Sequence, residues 1–281
     1  MIPHELAQLL LNLVKEDAPL GDITTEAVVG DVDVKAVVLA KEDGYACCLQ
    51  DLAEALRILG IEAKALKQDG EPFKRGEYLM ELRGSAKLIL VVERSLLNVL
   101  SILLGVVKAT RDFVEQVHRV NPRVKVAATR KTIPCLRQLV KKAVAVGGAD
   151  THRLSLSDAI LIKDNHIAIV GDVEKAVKMA KERATFMHKV EVEVSAVDDA
   201  IKAAKAGADA ILVDNVTPSG LKEIINALES LGLRSRVIVE VSGGINPSNV
   251  EEYARVGPDV ISTSYITMKA KPIDISLEVI K

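Results

Sequence analysis

Tryptophan is absent from the 281 residues, and aromatic residues make up only 2% of them. Platforms that stack nucleic-acid bases on aromatic rings are therefore not expected. Neither sign of charge dominates: 37 Lys and Arg face 39 Asp and Glu, for a net charge of -2. A nucleic-acid binder would carry a basic excess, so no nucleic-acid partner is expected. Cysteine is scarce as well. Cys47, Cys48 and Cys135 are too few for a disulfide framework, and without a Cys-x-x-Cys pair a zinc site has no support. The adjacent Cys47 and Cys48 read as buried structural thiols. Long apolar runs are missing too. The most apolar stretch, Leu96 to Val107, is 12 residues, short of the roughly 20 that span a bilayer. Met1 to Leu20 carries Glu5, Lys15, Glu16 and Asp17, which does not suit a secretory signal. The expectation is a cytoplasmic protein with no membrane partner.

Hydrophobic residues make up 49% of the chain and charged residues 27%, enough apolar material for a real core. Two organisations follow each other. Residues 1–105 are mixed. Leu6, Leu9, Leu10, Leu13 and Val14 form a helical stripe. Val32–Leu39 and Glu77–Leu82 read as strands, and Leu52–Leu59 as a helix closed by Gly60. A long apolar helix follows over residues 86–118, with a bend expected at Gly105. From Val124 onward, short apolar runs alternate with helical stretches. The runs are Val124–Ala128, Ala159–Ile162, Val190–Val194, Ala208–Val213, Val237–Val241 and Asp259–Ile261. The helices are Asp172–Ala184, Val197–Ala206, Pro218–Leu231 and Pro247–Val256. Such alternation predicts a parallel sheet covered by helices. With no Gly-x-Gly-x-x-Gly turn, a barrel is favoured over a Rossmann sheet. The region is shorter than the roughly 250 residues of a full eight-fold barrel. The expected fold class is α/β: an incomplete, TIM-like α/β barrel over residues 106–265 behind a mixed α/β N-terminal domain. The tail, 266–281, is expected to pack on that first domain.

Barrel chemistry sits at the C-terminal ends of the strands. Past the expected strands lie Thr129-Arg130-Lys131, Lys163-Asp164-Asn165-His166, Glu193, Asp214-Asn215, Ser242-Gly243-Gly244 and Ser262-Thr263-Ser264. Arg130, Lys131, His152, Arg153 and Lys163 crowd the first half of the barrel. Arg offers a fork for carboxylate or phosphate and Lys a compact charge, so the group points to a polyanionic ligand. His166 has no partner at metal-ligand spacing and reads as structural. Glu193 and Asp214 end neighbouring strands and should share a cavity. They would bind Mg²⁺, orient sugar hydroxyls or stabilise a cationic transition state. Glu191 lies on the same side of the strand as Glu193 and reads as a buried barrel carboxylate. Ser242-Gly243-Gly244-Ile245 opens a helix near Asn246-Pro247, where glycine lets backbone N–H groups approach a phosphate.

These segments together resemble the quinolinate phosphoribosyltransferase family, the carboxylating nicotinate-nucleotide pyrophosphorylases. The resemblance runs through Glu16-Asp17, Gly21-Asp22-Ile23-Thr24, Glu93-Arg94-Ser95-Leu96-Leu97-Asn98 and Thr129-Arg130-Lys131-Thr132-Ile133-Pro134. It continues through Gly147-Gly148, His152-Arg153, Leu161-Ile162-Lys163-Asp164-Asn165-His166-Ile167, Glu191-Val192-Glu193-Val194, Asp214-Asn215 and Ser242-Gly243-Gly244-Ile245. It implies quinolinate and phosphoribosyl pyrophosphate as substrates and Mg²⁺ as cofactor. It also implies a homodimer, or a higher oligomer, in which Arg94 serves the neighbouring subunit's site. Thr129, Arg130, Lys131, His152, Arg153 and Lys163 would line the substrate sites. Lys131, Glu193 and Asp214 would act in catalysis, with Glu193 and Asp214 facing ribose and metal. Ser242, Gly243 and Gly244 would hold the 5′-phosphate, joined by Ser262 and Ser264 at the last strand end. The chain departs from the family pattern at Ser264-Tyr265-Ile266-Thr267-Met268, Cys135, Thr151 and Ser155. Rival readings are a same-fold relative with another substrate, a Schiff-base aldolase using Lys163 or Lys131, and a barrel that binds phosphate ligands without turnover.

Overall fold

The computed structural model describes residues 2–280. Met1 and Lys281, the outer ends of the expected 1–105 and 266–281 segments, lie outside the described residues. In chain order the elements are α1 (Pro3–Asp17), α2 (Ile23–Val28), β1 (Asp33–Ala40), β2 (Gly44–Tyr45), α3 (Leu49–Ile58), β3 (Glu62–Ala65), β4 (Pro72–Phe73), β5 (Tyr78–Ser85) and α4 (Ala86–Val120). Then come β6 (Lys125–Ala127), α5 (Arg137–Val146), β7 (Ile160–Ile162), α6 (Asp164–Val170), α7 (Val173–Arg183), β8 (Val190–Val194), α8 (Val197–Lys205), β9 (Ala210–Asp214) and α9 (Pro218–Ser230). The chain ends with β10 (Ile238–Ser242), α10 (Val250–Val256), β11 (Val260–Ser262), α11 (Tyr265–Met268) and β12 (Ile275–Ile280).

Two compact units emerge. One gathers Met1–Thr110, Gln138–Gly147 and Ala270–Lys281. Its sheet runs β12-β1-β5-β3, all antiparallel, with Lys35 opposite both Arg83 and Ile280. Helix α3 buries Leu49, Leu52, Ala53, Ala55 and Leu56, and α1 buries Leu6, Ala7 and Leu10. Helix α4 is long and apolar enough to cross a membrane by composition, yet Ile89, Leu96, Leu100, Leu103 and Leu104 are wholly buried in the protein. The helix runs without interruption through Gly105, from Ala86 to Val120. A Cβ at Gly105 would lie 2.3 Å from the Lys271 carbonyl oxygen. The glycine there admits the returning tail.

The compact units are built from more than one stretch of sequence. Helix α5 groups with the first unit although its sequence lies beyond the expected 105/106 boundary. Leu139, Val140, Ala143 and Val144 are buried, Gly147 is packed on Thr110, and Lys142 is paired with Asp51 and Asp69. The tail also divides: 266–269 stays with the second unit and 270–281 with the first, where β12 pairs along β1.

The second unit comprises Arg111–Arg137 and Gly148–Lys269. Its six strands are all parallel, in the order β6-β11-β10-β9-β8-β7. Strands β7 to β11 thus neighbour one another in chain order, as successive strand-helix units do in an α/β barrel. In β9, Ala210, Ile211, Leu212 and Val213 are buried, as expected for a strand covered on both faces. In β8 the valines are buried while Glu191 and Glu193 alternate to the other side.

Candidate active site

The C-terminal ends of these strands close around a cavity of about 410 Å³. Thr129, Arg130 and Lys131 reach it after β6, His152 and Arg153 after the bridge between Ala127 and Asp150, and Lys163 after β7. Glu193, Asp214 and Ser242 come from the ends of β8, β9 and β10, followed by Gly243 and Gly244. Ser262 ends β11. A recess of about 480 Å³ also lies on the antiparallel sheet. There Lys35, Glu62, Lys64, Glu81 and Arg83 mix both signs of charge.

The cations are held in place. Arg130 is part-buried, and its Nε is shielded from solvent with no partner, the state expected of a donor awaiting an anion. Arg153 donates from its guanidinium to the Ala159 carbonyl at 3.3 Å. Burial and the neighbouring Arg130 pull Arg153 somewhat below the usual guanidinium value. Lys163 is paired with Glu193, and its N–H is received by His166 Nδ1 at 2.9 Å. His166 thus caps α6 and does not line the cavity. Lys131 is exposed, with its N–H on Thr129 Oγ1 at 3.0 Å and its carbonyl accepting from Thr267 Oγ1 at 2.7 Å.

The phosphate-type loop is equally specific. Gly243 sits at φ +92°, and a Cβ there would meet Asn215 Oδ1 at 2.2 Å. Asn215 itself has φ 55°. It donates its N–H to the Ser242 carbonyl at 3.0 Å and its Nδ2 to Asp214 Oδ2 at 2.6 Å. Asn215 therefore ties the acidic strand end to the glycine loop, with its side-chain amide on Asp214 and its backbone N–H on Ser242. Ser264 stands apart from the main cavity, in a smaller recess with Thr129, Lys131, Gly243, Gly244 and Lys269.

His152 adopts the left-handed region at φ 54°. Its Nε2 faces Glu240 Oε2 at 3.3 Å and Glu191 Oε2 at 3.4 Å. Burial alone would lower the imidazole, but the hydrogen bonds that Glu191 and Glu240 accept from the ring outweigh it and carry the value up to about 10. Burial drives Glu191 upward. The N–H of Arg153, 2.9 Å from His152 Nδ1, opposes a second ring proton, because two N–H groups would then meet. A hydrogen therefore sits on Nε2, directed at the two carboxylates. These three side chains converge closely enough to suggest a metal site. A ring nitrogen that carries hydrogen cannot ligate, so the geometry argues for a hydrogen-bonded cluster.

Two family models cover the chain: the N-terminal domain of quinolinate phosphoribosyl transferase matches residues 22–103, and its C-terminal domain matches residues 106–278. The chain belongs to the quinolinate phosphoribosyltransferase family. A relative from Archaeoglobus fulgidus is 45% identical over 94% of this chain and 100% of its own length, and one from Methanothermobacter thermautotrophicus is 42% identical over 98% and 99%. Both bear the name "Probable nicotinate-nucleotide pyrophosphorylase (carboxylating)". The structure of the nicotinate-nucleotide pyrophosphorylase from Francisella tularensis superposes with a TM-score of 0.89 at 33% identity, covering 100% of this chain and 98% of that one. The TIM-like barrel with its separate N-terminal sheet is the fold of this family.

Within that family fold, the barrel brings together every expected cavity residue except two. Arg94 lies on α4 with its side chain 61% exposed and its guanidinium 4.0 Å from Glu93, and it is not among the residues lining the cavity. Ser264 takes the smaller recess. Sequence reasoning missed Glu240, because it hides inside the apolar run Val237–Val241. A carboxylate within a buried strand was itself the available signal. Lys269 was missed too, and nothing in its surroundings in sequence marks it.

Proposed function

We propose that this chain transfers phosphoribose from phosphoribosyl pyrophosphate to the ring nitrogen of quinolinate, then releases CO₂. The products are nicotinate mononucleotide, pyrophosphate and CO₂, a step of NAD biosynthesis. The observation that carries this reading is the cavity's lining, which gathers Arg130, Lys131, Arg153 and Lys163 with Glu193, Asp214 and the Ser242-Gly243-Gly244 loop. It matches the names borne by full-length relatives.

Quinolinate carries two carboxylates, and Arg130, Arg153 and Lys163 supply the forks and charge for them. The unpartnered Nε of Arg130 is the donor best placed to be completed by substrate. Ser242, Gly243 and Gly244 would cradle the 5′-phosphate, with Ser262 beside them and Ser264 in the adjoining recess. Holding the ring nitrogen against the anomeric carbon supplies the proximity contribution. Glu193 and Asp214 face the positive charge that develops on ribose as pyrophosphate leaves. Lys131 would sit by the departing pyrophosphate. The cations that bind the dicarboxylate then stabilise the electron pair left on the ring carbon by decarboxylation, until that carbon takes a proton from solvent to give nicotinate mononucleotide.

Glu193 and Asp214 offer hard carboxylate oxygens at adjacent strand ends. That donor set fits Mg²⁺, which is commonly held by one or two carboxylates together with substrate phosphates. When bound, the ion would neutralise pyrophosphate charge. The Schiff-base reading loses ground because the Lys163 ammonium is paired with Glu193, the opposite of the desolvated setting an amine nucleophile needs. A homodimer that supplies Arg94 across the interface accounts for the exposure of that side chain outside its own cavity. Soluble anionic substrates accord with a cytoplasmic location.

The test is pyrophosphate release with phosphoribosyl pyrophosphate, Mg²⁺ and either quinolinate or nicotinate. Release with quinolinate alone is expected. Arg130→Ala and Lys163→Ala should each lower kcat/KM by about 100-fold or more, the scale of losing a charged, transition-state contact. Release only with nicotinate would overturn the substrate assignment.

A further inference from the structure

Inside the barrel, two carboxylates are spent on a single histidine. Glu240 lies in β10 two residues before Ser242, and Glu191 lies in β8 two residues before Glu193. Strand alternation puts each on the same side as the strand-end group above it. Both are deep in the barrel: Glu240 is 5% exposed and the Glu191 side chain 12%. Glu240 Oε1 is buried without a partner. A leucine would fill such a site without that loss of hydration, so packing alone does not explain a carboxylate there.

What the carboxylates hold is a strained turn. The chain leaves the Ala127–Asp150 bridge and turns at His152 with φ 54°. A non-glycine residue persists there only when its surroundings over-determine it. Three contacts do so. Asp150 Oδ1 accepts the His152 N–H at 2.8 Å. His152 Nδ1 accepts the Arg153 N–H at 2.9 Å. His152 Nε2 reaches Glu240 at 3.3 Å and Glu191 at 3.4 Å. Both ring nitrogens are thereby used, and neither is left to bind a ligand. The ring instead fixes the backbone from which Arg153 extends toward the cavity.

We infer that Glu240, with Glu191 beside it, is a positioning residue: it grips His152 by Nε2 and so presents the Arg153 guanidinium to a carboxylate of the aromatic substrate. This rests on the quinolinate reading above. It also moves His152 from the substrate-contacting set to the supporting structure.

The experiment compares wild type with Glu240→Ala, Glu240→Gln, His152→Phe and the His152→Phe/Glu240→Ala double variant. Steady-state kinetics are run with each substrate varied in turn, beside thermal melts. Glu240→Ala should raise the quinolinate KM about tenfold or more, because a displaced positioning group costs substrate alignment. The phosphoribosyl pyrophosphate KM should stay within about twofold, and Glu240→Gln, which keeps an acceptor, should recover to within about threefold of wild type. The double variant should be no worse than the worse single one, since both remove the same linkage. An unchanged quinolinate KM in Glu240→Ala would overturn the inference. So would an equal rise in both KM values, or a Glu240→Gln as impaired as Glu240→Ala. If Glu240→Ala does not fold, Glu240→Gln and His152→Phe still decide. A second readout needs no turnover. Spectra of ¹⁵N-histidine-labelled protein should show Nε2 of His152 carrying hydrogen in wild type, with its resonance displaced in Glu240→Ala. An Nε2 without hydrogen in wild type, or a resonance unmoved by Glu240→Ala, would overturn the inference. Absence of quinolinate turnover in wild type would instead sink the proposed reaction, and the histidine spectra would still decide the role of Glu240.

Discussion

Gly243 shows how a single hydrogen atom fixes the chemistry of a loop. Its φ of +92° is one that side chains resist, and a Cβ would fall 2.2 Å from Asn215 Oδ1 and 2.7 Å from Asn215 N. Neither neighbour yields easily. Asn215 is itself left-handed and anchored to Asp214 and to the Ser242 carbonyl. Gly243→Ala must therefore push Asn215 off Asp214 or open the loop. Either change disturbs the proposed phosphate cradle and the carboxylate beside it together. We expect kcat/KM for phosphoribosyl pyrophosphate to fall by about 100-fold, in line with misplacing groups by about an ångström. The quinolinate dissociation constant, read by calorimetry without the co-substrate, should change little. A matching loss in quinolinate binding would show that the loop serves the whole cavity. The buried thiols show the contrary case, chemistry withheld. Cys47 and Cys48 are fully buried, their sulfurs are 3.3 Å apart, and this hydrogen bond and burial push the Cys47 thiol far up. A thiol so protonated is a poor nucleophile, as expected from their composition and setting.

At the scale of elements, what could be read from sequence depended on how completely one physical effect dominated. Strand β9 is enclosed on both faces, so its apolar run is continuous and visible. Strand β3, Glu62–Ala65, has few of the residues that favour strands. It exists through its pairing with β5, from Glu62 opposite Arg83 to Ala65 opposite Met80, and no local pattern announces such a partner. Helix α5 carries a clear apolar face, but its allegiance to the first unit depends on contacts with distant residues such as Asp51 and Asp69. The site followed the same rule. Strand-end residues announced themselves as breaks in apolar runs, whereas Glu240, inside one, did not. Gly105 makes an element-scale prediction. In an exposed helix, glycine to alanine would stabilise. Here the added methyl meets the Lys271 carbonyl at 2.3 Å and Pro272 Cα at 3.1 Å. Gly105→Ala should therefore destabilise by about 1–3 kcal/mol, the range for overpacking, seen as a lower denaturation midpoint with an unchanged m-value. A stabilised variant would mean that the tail is not fixed against α4 in solution.

At the scale of the whole molecule, the first unit is not a continuous piece of sequence. It needs Gln138–Gly147 and Ala270–Lys281 as well as Met1–Thr110. The family models divide the chain between 103 and 106, and a fragment cut there looks natural from sequence. Such a fragment would lack β12. It would leave β1 without the partner that runs from Lys35 opposite Ile280 to Ala40 opposite Ile275. An unpaired edge of that length invites aggregation. The fragment would also lack α5, stranding Asp51 and Asp69 without Lys142 and uncovering the surface that Leu139, Val140, Ala143 and Val144 now help bury. The fragment 1–105 should thus be aggregated or only partly folded, with poorly dispersed amide resonances and no cooperative melt. The intact chain should melt cooperatively, since discontinuous segments couple the two units covalently at four crossings of the chain: near residues 110, 137, 147 and 269. A well-dispersed spectrum and a sharp transition from the fragment alone would show that the first unit's stability resides in β1, β3, β5 and α3, and that the later segments merely cover it.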